Sequence, residues 1–318
     1  MENDKLPYIS VIITAYNRKD FLLNAIKSAL NQTLDKKYYE VIVIKNFEDK
    51  NLDEFINKNK IIGIISNNKS LGGKLSEALN IARGTVISFL EDDDLFFENK
   101  LEIVYKEFKR DDDIVYYHNL WAPINKNGKT ININTMNISP DINMSSISIK
   151  RSIVKVNNAN NIPILSAPDV LMYVYALESN KKIRKGKEIL TYYMLHNSIS
   201  NNVSNNFEEY RKFMIITSDL YINNFIFFMN LVHSQKAISY INSKITGAQI
   251  YKYIYGINET PHKLINYIIN NTNNSIAGLK HRIEFSLLCI LIRVYPRFRK
   301  YINEKMWNSH DKWAEDII

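Results

Sequence analysis

In roughly the first 120 residues, short apolar runs alternate with longer segments in which apolar residues recur at helical spacing. Short apolar runs at Tyr8–Thr14, Glu40–Ile44 and Thr85–Leu90 predict strands, and the lack of regular alternation in Thr85–Leu90 is typical of a strand buried on both faces. Between the strands, apolar residues recur at helical spacing, as in Lys19–Asn31, and predict amphipathic helices. The same patterns predict further strands at Ile61–Ser66 and Asp113–Trp121, and further helices at Asp53–Asn59, Lys74–Ala82 and Leu95–Arg110. This alternation predicts an α/β fold with a doubly wound, mostly parallel sheet.

The pattern changes twice further along the chain. Residues 125–143 are polar and contain the turn pair Asn127-Gly128, which predicts a hairpin or flap. The next stretch predicts a strand at Ser145–Ile149, a short helix at Arg151–Val156, a helix from Pro168 to Ser179, a basic turn at Lys181–Lys187 and a strand at Glu188–Leu195. Helical patterns then follow at Phe207–Met229, Leu231–Lys244, Ala248–Tyr255, Pro261–Asn270 and Ile276–Tyr295. We therefore predict an α/β domain at residues 1–205 and a helical region at residues 206–318.

Composition is typical of a soluble protein with a hydrophobic core. The chain has 318 residues, of which 46% are hydrophobic and 23% charged. The single cysteine, Cys289, excludes an internal disulfide framework and fits a reducing compartment. The charged N-terminus does not resemble a signal peptide, and no apolar run reaches the ~18 residues that a membrane span needs. We therefore expect a cytoplasmic protein.

A run of four acids follows directly on a buried strand. Thr85–Leu90 leads into Glu91, Asp92, Asp93 and Asp94. In open α/β sheets, ligands bind just beyond the carboxyl ends of such strands. Four neighbouring carboxylates repel one another at neutral pH, and a hard divalent cation such as Mg²⁺ or Mn²⁺ relieves that repulsion. The alternative is a solvated acidic loop that caps the next helix. No Gly-x-Gly-x-x-Gly follows the first strand, which argues against a dinucleotide-binding domain.

Four segments in the first 200 residues resemble the signatures of glycosyltransferase family 2. They are Ser10–Arg18, Ala25–Thr33, Asn68–Asp94 and Leu195–Ser200, and their order and spacing also match that family. The resemblance implies a GT-A fold, which has a Rossmann-like, mostly parallel sheet flanked by helices. It also implies an inverting transferase that moves a sugar from a nucleotide-diphosphate sugar to an acceptor hydroxyl.

The resemblance also implies roles for individual residues. Glu91 and Asp93 are the candidate metal ligands, and Asp169 is the candidate general base. A helix-start aspartate stabilised by the helix dipole is the structural alternative for Asp169. The candidate nucleotide-sugar ligands are Thr14, Ala15, Tyr16, Arg18, Asn46, Lys74, Asp92 and His196. For Tyr16, Arg18, Lys74 and His196, a purely structural or surface role remains an open alternative.

Three positions depart from the family pattern. Lys45-Asn46 stands where the family usually has Asp-Asp, in a region that contacts the nucleobase. This leaves the bound nucleotide undetermined. Glu91 replaces the first aspartate of the D-x-D motif but keeps its charge, and Pro168 replaces the acid that usually precedes Asp169.

The expected partners are a nucleotide-diphosphate sugar and a glycan, lipid-linked or protein acceptor, and we expect no nucleic acid. Basic residues surround the apolar stretch Phe285–Ile292, so residues 280–305 either contact the inner face of an anionic membrane or form a packed terminal helix. A non-catalytic GT-A-like binding or assembly subunit at a membrane is the alternative function. A nucleotidyltransferase is disfavoured because Thr14–Asp20 contains no glycine.

Overall fold

The chain divides into two compact units. The computed structural model describes residues 6–16, 19–68, 70–125, 129–130, 139–155, 167–195, 204, 206–257, 261, 264–269 and 276–317. The first unit runs to Ile124 and resumes over Lys129–Met194, and the second comprises Asn125–Gly128 and Leu195–Ile318. The first unit is α/β and the second is helical, as the hydrophobic patterns predicted.

Four parallel strands form one half of the sheet. They are β1 (Ile9–Thr14), β2 (Tyr39–Lys45), β3 (Ile62–Ile65) and β4 (Val86–Glu91), in the order β3-β2-β1-β4. β1 and β4 are buried along almost their whole length, which explains why their sequences show no alternation. The register places Thr14 beside Ile44 on one side and beside Glu91 on the other. The carboxyl ends of these three strands therefore meet at one edge.

Four helices connect these strands and lead out of the last one. They are α1 (Lys19–Leu30), α2 (Lys50–Lys58), α3 (Leu71–Ile81) and α4 (Lys100–Arg110). α3 begins earlier than predicted because the Ser70 side chain caps it by accepting a hydrogen bond from the Gly73 amide. The predicted helix at Leu95–Arg110 also needs correction. Its first residues instead form a short strand, β5 (Leu95–Phe96), and the helix starts at Lys100.

The other half of the sheet contains antiparallel pairs. It adds β6 (Ile114–Asn125), β7 (Ile147–Lys150) and β8 (Lys182–Leu195), giving the full order β3-β2-β1-β4-β7-β6-β8-β5. β7 is antiparallel to both β4 and β6, and β5 is antiparallel to β8. β6 thus keeps the direction of β4, as a βαβ connection requires, but β7 is inserted between them. The helix before β8 is α5 (Pro168–Glu178).

Two predictions for this region are corrected, and a third lies mostly outside the described residues. The basic stretch Lys181–Lys187 is mostly part of β8 and not a turn, because strand pairing across the sheet overrides its local polarity. The short helix predicted at Arg151–Val156 is a single 3₁₀ turn at Arg151–Ile153. Of the predicted hairpin at 125–143, Ile124 pairs with Thr130, and residues 126–128 and 131–138 lie outside the described residues.

The second unit contains five described helices. They are α6 (Phe207–Met229), α7 (Gln235–Ile254), α8 (Leu264–Ile269), α9 (Ile276–Val294) and α10 (Phe298–Ile317). The two helices predicted at Leu231–Lys244 and Ala248–Tyr255 are one helix, since Gly247 continues α7 at a modest cost in propensity. α10 was not predicted. Its Ile302 joins a core with Ile250, Tyr253, Ile254, Cys289 and Ile292.

Candidate active site

The first component of the candidate site is the edge where β1 and β4 end. Ala15 donates a backbone hydrogen bond to the Ile44 carbonyl oxygen at 2.9 Å. The Tyr16 amide donates to Asp92 Oδ2 at 3.3 Å. The buried Asp92 side chain therefore fixes the path of the chain as it leaves β1. The predicted ligands Thr14, Ala15, Tyr16 and Asp92 lie together.

The second component is the start of α5, which lies beside the same edge. Pro168 occupies the first turn, where its fixed φ suits a helix start, and Asp169 follows it. Pro168, Thr14, Glu91 and Met144 line one small cleft. Burial, together with the charges of Asp93, Asp94, Asp169 and Asp92, raises the pKa of Glu91 well above its ordinary value. The candidate base and the candidate metal ligand thus lie within electrostatic range of each other.

The acid run carries more negative charge than its surroundings easily accommodate. Burial and the charge of Asp93 raise the pKa of Asp94 to about 8, although its Oδ1 accepts a hydrogen bond from the Met194 amide at 2.9 Å. Among the described residues, no three His, Cys, Asp or Glu side chains form a metal-binding group. Mg²⁺ in phosphate-binding sites is usually held by one or two carboxylates together with the substrate's phosphates. The donor set fits an ion that binds in that way.

A buried network that sequence reasoning missed supports the acid run. Lys100 is completely buried, and its ammonium donates to the Ser145 carbonyl oxygen and to Thr191 Oγ1, the latter at 3.1 Å. Ser145 Oγ in turn accepts a hydrogen bond from the Glu91 amide at 2.9 Å. Burial lowers the pKa of Lys100 well below its ordinary value, while the charge of Asp94 opposes that shift. This network fixes the end of β4.

The position of Lys100 in the sequence could have indicated that it is buried. It lies on the buried face of α4 with Leu101, Val104 and Phe108, at spacings that repeat along one side of a helix. A lysine within an apolar stripe needs a buried partner, because an unpaired charge inside a protein is costly. The roles of Ser145 and Thr191 could not be predicted in this way, because nothing in the sequence distinguishes them from other polar residues.

Tyr16 and Lys74 form a pair at the same edge of the sheet. The Tyr16 side chain is half exposed, whereas Lys74 in the first turns of α3 is buried. The Lys74 ammonium lies 4.4 Å from the centroid of the Tyr16 ring, within the range of a cation–π contact. Burial lowers the pKa of Lys74, and the charge of Glu77 partly offsets that effect.

The unusual residue after β2, Lys45, turns inward. Its ammonium lies 2.9 Å from Asp53 Oδ1 of α2 and donates to the Phe47 carbonyl oxygen at 2.5 Å. Burial alone would raise the pKa of Asp53, but hydrogen bonding to Lys45 and the charge of Lys45 lower it overall. Lys45 therefore anchors α2 to the end of β2. Asn46 follows directly and is partly buried at the same edge of the sheet.

Most of the predicted site residues lie around this edge, and two cannot be placed. Arg18 and His196 lie outside the described residues. Asp93 is partly buried, and its charge contributes to the raised pKa values of Glu91 and Asp94.

In a comparison with known proteins, one family profile matches the part of the chain that contains this edge of the sheet. The profile described as "Glycosyl transferase family 2" matches residues 10–178, which is more than half of the chain and includes β1, the acid run and α5. The chain belongs to glycosyltransferase family 2. The family predicted from its motifs is therefore confirmed.

Curated relatives of this family 2 glycosyltransferase match parts of the chain. An uncharacterised glycosyltransferase of Rickettsia bellii is 35% identical over 140 residues, which cover 42% of this chain and 20% of the relative. The chain thus spans about a fifth of that relative's length. UDP-Glc:alpha-D-GlcNAc-diphosphoundecaprenol beta-1,3-glucosyltransferase WfaP of Escherichia coli is 29% identical over 206 residues, covering 61% of this chain and 80% of WfaP.

A solved structure matches the chain over almost its whole length. The mannosyltransferase PcManGT of Pyrobaculum calidifontis, in complex with GDP-Man and Mn²⁺, superposes with a TM-score of 0.55. The match covers 98% of this chain and 86% of PcManGT at 10% sequence identity. At that identity the likeness concerns the fold alone. It confirms the predicted GT-A fold.

Proposed function

We propose that this glycosyltransferase moves a sugar from a nucleotide-diphosphate sugar to an acceptor hydroxyl in a single displacement that inverts the anomeric carbon. One observation carries the proposal most directly. The start of α5, which holds Asp169, and the end of β4, which holds Glu91, border one cleft. A donor seated there has an acidic group near its diphosphate and another on the side from which an acceptor attacks.

Asp169 is the proposed general base. It lies in the first turn of α5, where the helix dipole favours the ionised carboxylate. Its Oδ1 accepts a hydrogen bond from the Val170 amide at 2.9 Å, which helps to orient the carboxyl group. An ionised carboxylate accepts the proton that the acceptor hydroxyl loses as it attacks. With no enzyme nucleophile, this one attack inverts the configuration.

Glu91 and Asp93 are the proposed ligands of a Mg²⁺ or Mn²⁺ ion, which would stabilise the negative charge that develops on the leaving diphosphate. Other residues keep these carboxylates in place. Asp92 holds the Tyr16 amide, and Ser145 holds the Glu91 amide. The end of β4 is thus fixed at two points before any donor binds, as electrostatic stabilisation of a transition state requires.

The nucleotide is proposed to lie along the ends of β1 and β2. Thr14, Ala15 and Asn46 border this place, and the exposed ring of Tyr16 offers a surface on which a base can stack. Lys74, near the N-terminus of α3, is the proposed phosphate contact, since cations and helix N-termini both favour phosphate. Arg18 and His196 remain predicted contacts. WfaP is named for UDP-Glc and PcManGT was solved with GDP-Man, so both uridine and guanosine donors need testing.

The proposed acceptor is a glycan, a lipid-linked saccharide or a protein. The name of WfaP, whose acceptor is a diphosphoundecaprenol, favours the lipid-linked class. Such an acceptor sits in a bilayer, so we also propose that residues 280–305 contact the cytoplasmic face of a membrane. The division into a catalytic region at 1–205 and a helical region at 206–318 remains part of this proposal.

Thermal unfolding with a panel of nucleotide-diphosphate sugars, with and without Mn²⁺, tests the donor assignment. A ligand at a hundredfold excess over its Kd stabilises the native state by about 2.7 kcal/mol. We expect one donor to raise Tm only with metal, and the shift to disappear in Asp93→Ala. The variant Asp112→Ala serves as the control, because that side chain is 99% exposed. No shift with any donor would contradict the proposal and favour a non-catalytic subunit.

A further inference from the structure

One face of α9 exposes an apolar stripe. We call it the α9 stripe, and its members are Leu279, Ile283, Leu287, Ile290, Leu291 and Val294. Their spacing of three and four residues places them on one side of the helix. The other side of α9 packs into the core of the helical unit through Phe285, Leu288, Cys289 and Ile292. Among the described residues, the stripe is left uncovered.

A stripe of this kind indicates an interaction surface. Single exposed apolar residues are common, but contiguous apolar patches mark sites that bind proteins or membranes. Tyr295, the residue directly after α9, is also exposed. In the described part of the chain, no helix is long and apolar enough to cross a membrane.

The structure separates the basic residues near the stripe into two groups. Arg282 turns inward and donates to Ser243 Oγ and to the Tyr267 carbonyl oxygen, both at 2.6 Å. Arg299 lies 5.1 Å from the centroid of the Tyr253 ring. These two arginines contact other residues of the helical unit and are not part of the exposed basic surface.

The second group is exposed and consists of Lys280, Arg293, Arg297 and Lys300. Two exposed acids oppose it, Glu284 at 3.9 Å from Lys280 and Glu304 at 4.0 Å from Lys300. The region around the α9 stripe therefore keeps a positive balance. An apolar face bordered by cations is complementary to a surface with an apolar interior and anionic head groups.

We propose that the α9 stripe docks the protein on an anionic lipid bilayer, with α9 lying along the interface. The inference rests on the membrane contact proposed above and specifies the face and the lipid charge. Leu287 and Ile290 enter the boundary between head groups and acyl chains, while Arg293 and Arg297 contact lipid phosphates. A second copy of the chain fits the stripe poorly, because a symmetric pair would bring the same cations together.

Co-sedimentation of the full chain with vesicles tests the proposal. We expect binding to vesicles of phosphatidylcholine with phosphatidylglycerol, little binding to phosphatidylcholine alone, and weaker binding at high salt. Leu287→Gln/Ile290→Gln should reduce binding by about tenfold or more. The matched control is Ile216→Gln/Ile226→Gln in the same unit, with residues 60% and 53% exposed against 52% and 50% for Leu287 and Ile290. The control should bind like the wild type.

The charged residues are tested separately. Arg293→Gln/Arg297→Gln should weaken binding to the anionic vesicles by about thirtyfold, since each surface cation contributes about fivefold. All variants should unfold at similar temperatures, because the changed side chains are exposed.

Three outcomes of the vesicle experiment would overturn the proposal. They are no vesicle binding, equal binding to both vesicle types, and equal losses in the stripe variant and its control. A dimer in sedimentation velocity that Leu287→Gln/Ile290→Gln dissociates, without vesicle binding, would assign the stripe to a second copy and also overturn it. The measurement uses neither donor nor acceptor, so its failure is distinguishable from failure of the transferase assignment.

Discussion

The two units differ in which residues depart from the usual pattern of burial. In the α/β unit they are buried ionisable side chains, such as Lys45, Lys100 and Asp94. In the helical unit they are exposed apolar side chains, such as Leu287 and Ile290. Both kinds are unfavourable for a chain that only has to fold. The contrast indicates that the first unit carries its function at an interior edge of the sheet, and that the second carries its function on an outer surface.

The largest effect is expected at the proposed base. Asp169→Asn keeps the size and most hydrogen bonds of the side chain but cannot accept the acceptor's proton. We expect transfer to fall by about 10²–10⁴-fold, the range that positioned general bases contribute. Initial rates of sugar transfer measure the effect, and thermal unfolding should change little.

The matched control for Asp169→Asn is Asp112→Asn, at an acid whose side chain is 99% exposed. It should transfer at the wild-type rate. Full activity in Asp169→Asn would remove this residue from the proposed mechanism and leave it the role of a helix-start aspartate.

Removing the buried cation behind the acid run should chiefly affect stability. Lys100→Met deletes the hydrogen bonds to Ser145 and Thr191 and leaves Asp94 without the nearby charge that favours its ionised form. We expect a loss of about 3 kcal/mol in the free energy of unfolding, measured with urea. Lys106→Met on the exposed side of α4 should cost less than about 0.5 kcal/mol. Equal effects in the two variants would show that the network does not stabilise the native state.

The ion pair between Lys45 and Asp53 gives a smaller, pH-dependent effect. Asp53→Asn leaves the Lys45 ammonium buried without its carboxylate and should cost about 1–3 kcal/mol, since Asp53 is itself partly exposed. Adding Lys45→Met should recover part of that loss, because no charge is then left buried.

The sign of the pH dependence follows from the lowered pKa of Asp53. A carboxylate whose pKa is lowered on folding stabilises the native state above its unfolded pKa, about 3.9, and that contribution is lost as pH falls through the folded value. The difference between wild type and Asp53→Asn in urea unfolding should therefore be constant near neutral pH and shrink in acid below about pH 4. A difference that grows in acid would contradict this account.

Two glycines, one in each unit, should respond in opposite directions. A Cβ at Gly84 would lie 2.4 Å from the Ser10 backbone nitrogen, so Gly84→Ala should destabilise by about 1–3 kcal/mol. A Cβ at Gly247, inside α7, would lie 3.5 Å from the Tyr267 ring, an ordinary contact. Gly247→Ala should therefore stabilise by about 0.5–1 kcal/mol, because alanine favours the helix. Shifts of the same sign in the two Tm values would contradict this reading of the packing.

The sequence predicted those helices and strands that depend on residues close together in the chain. β1 and β4 follow from short apolar runs, α1 follows from apolar residues at helical spacing, and the start of α5 follows from Pro168. β5 was missed because it pairs Leu95 with Tyr192, a residue almost a hundred positions away. The Met194 amide that binds Asp94 is equally distant. The first half of β8 was missed because its residues are mostly basic and exposed. α10 was not predicted because many of its residues are charged, so the spacing of buried apolar residues such as Ile302 is hard to recognise.

The acid run at the end of β4 is proposed to bind the diphosphate of a nucleotide sugar together with a metal ion. Calorimetric titration of UDP and GDP into the wild type, Asp93→Ala and Asp112→Ala, with and without Mn²⁺, tests it most directly. We predict that one nucleotide binds the wild type and Asp112→Ala in the presence of Mn²⁺ and fails to bind Asp93→Ala. Equal, metal-independent binding to all three proteins would contradict the claim.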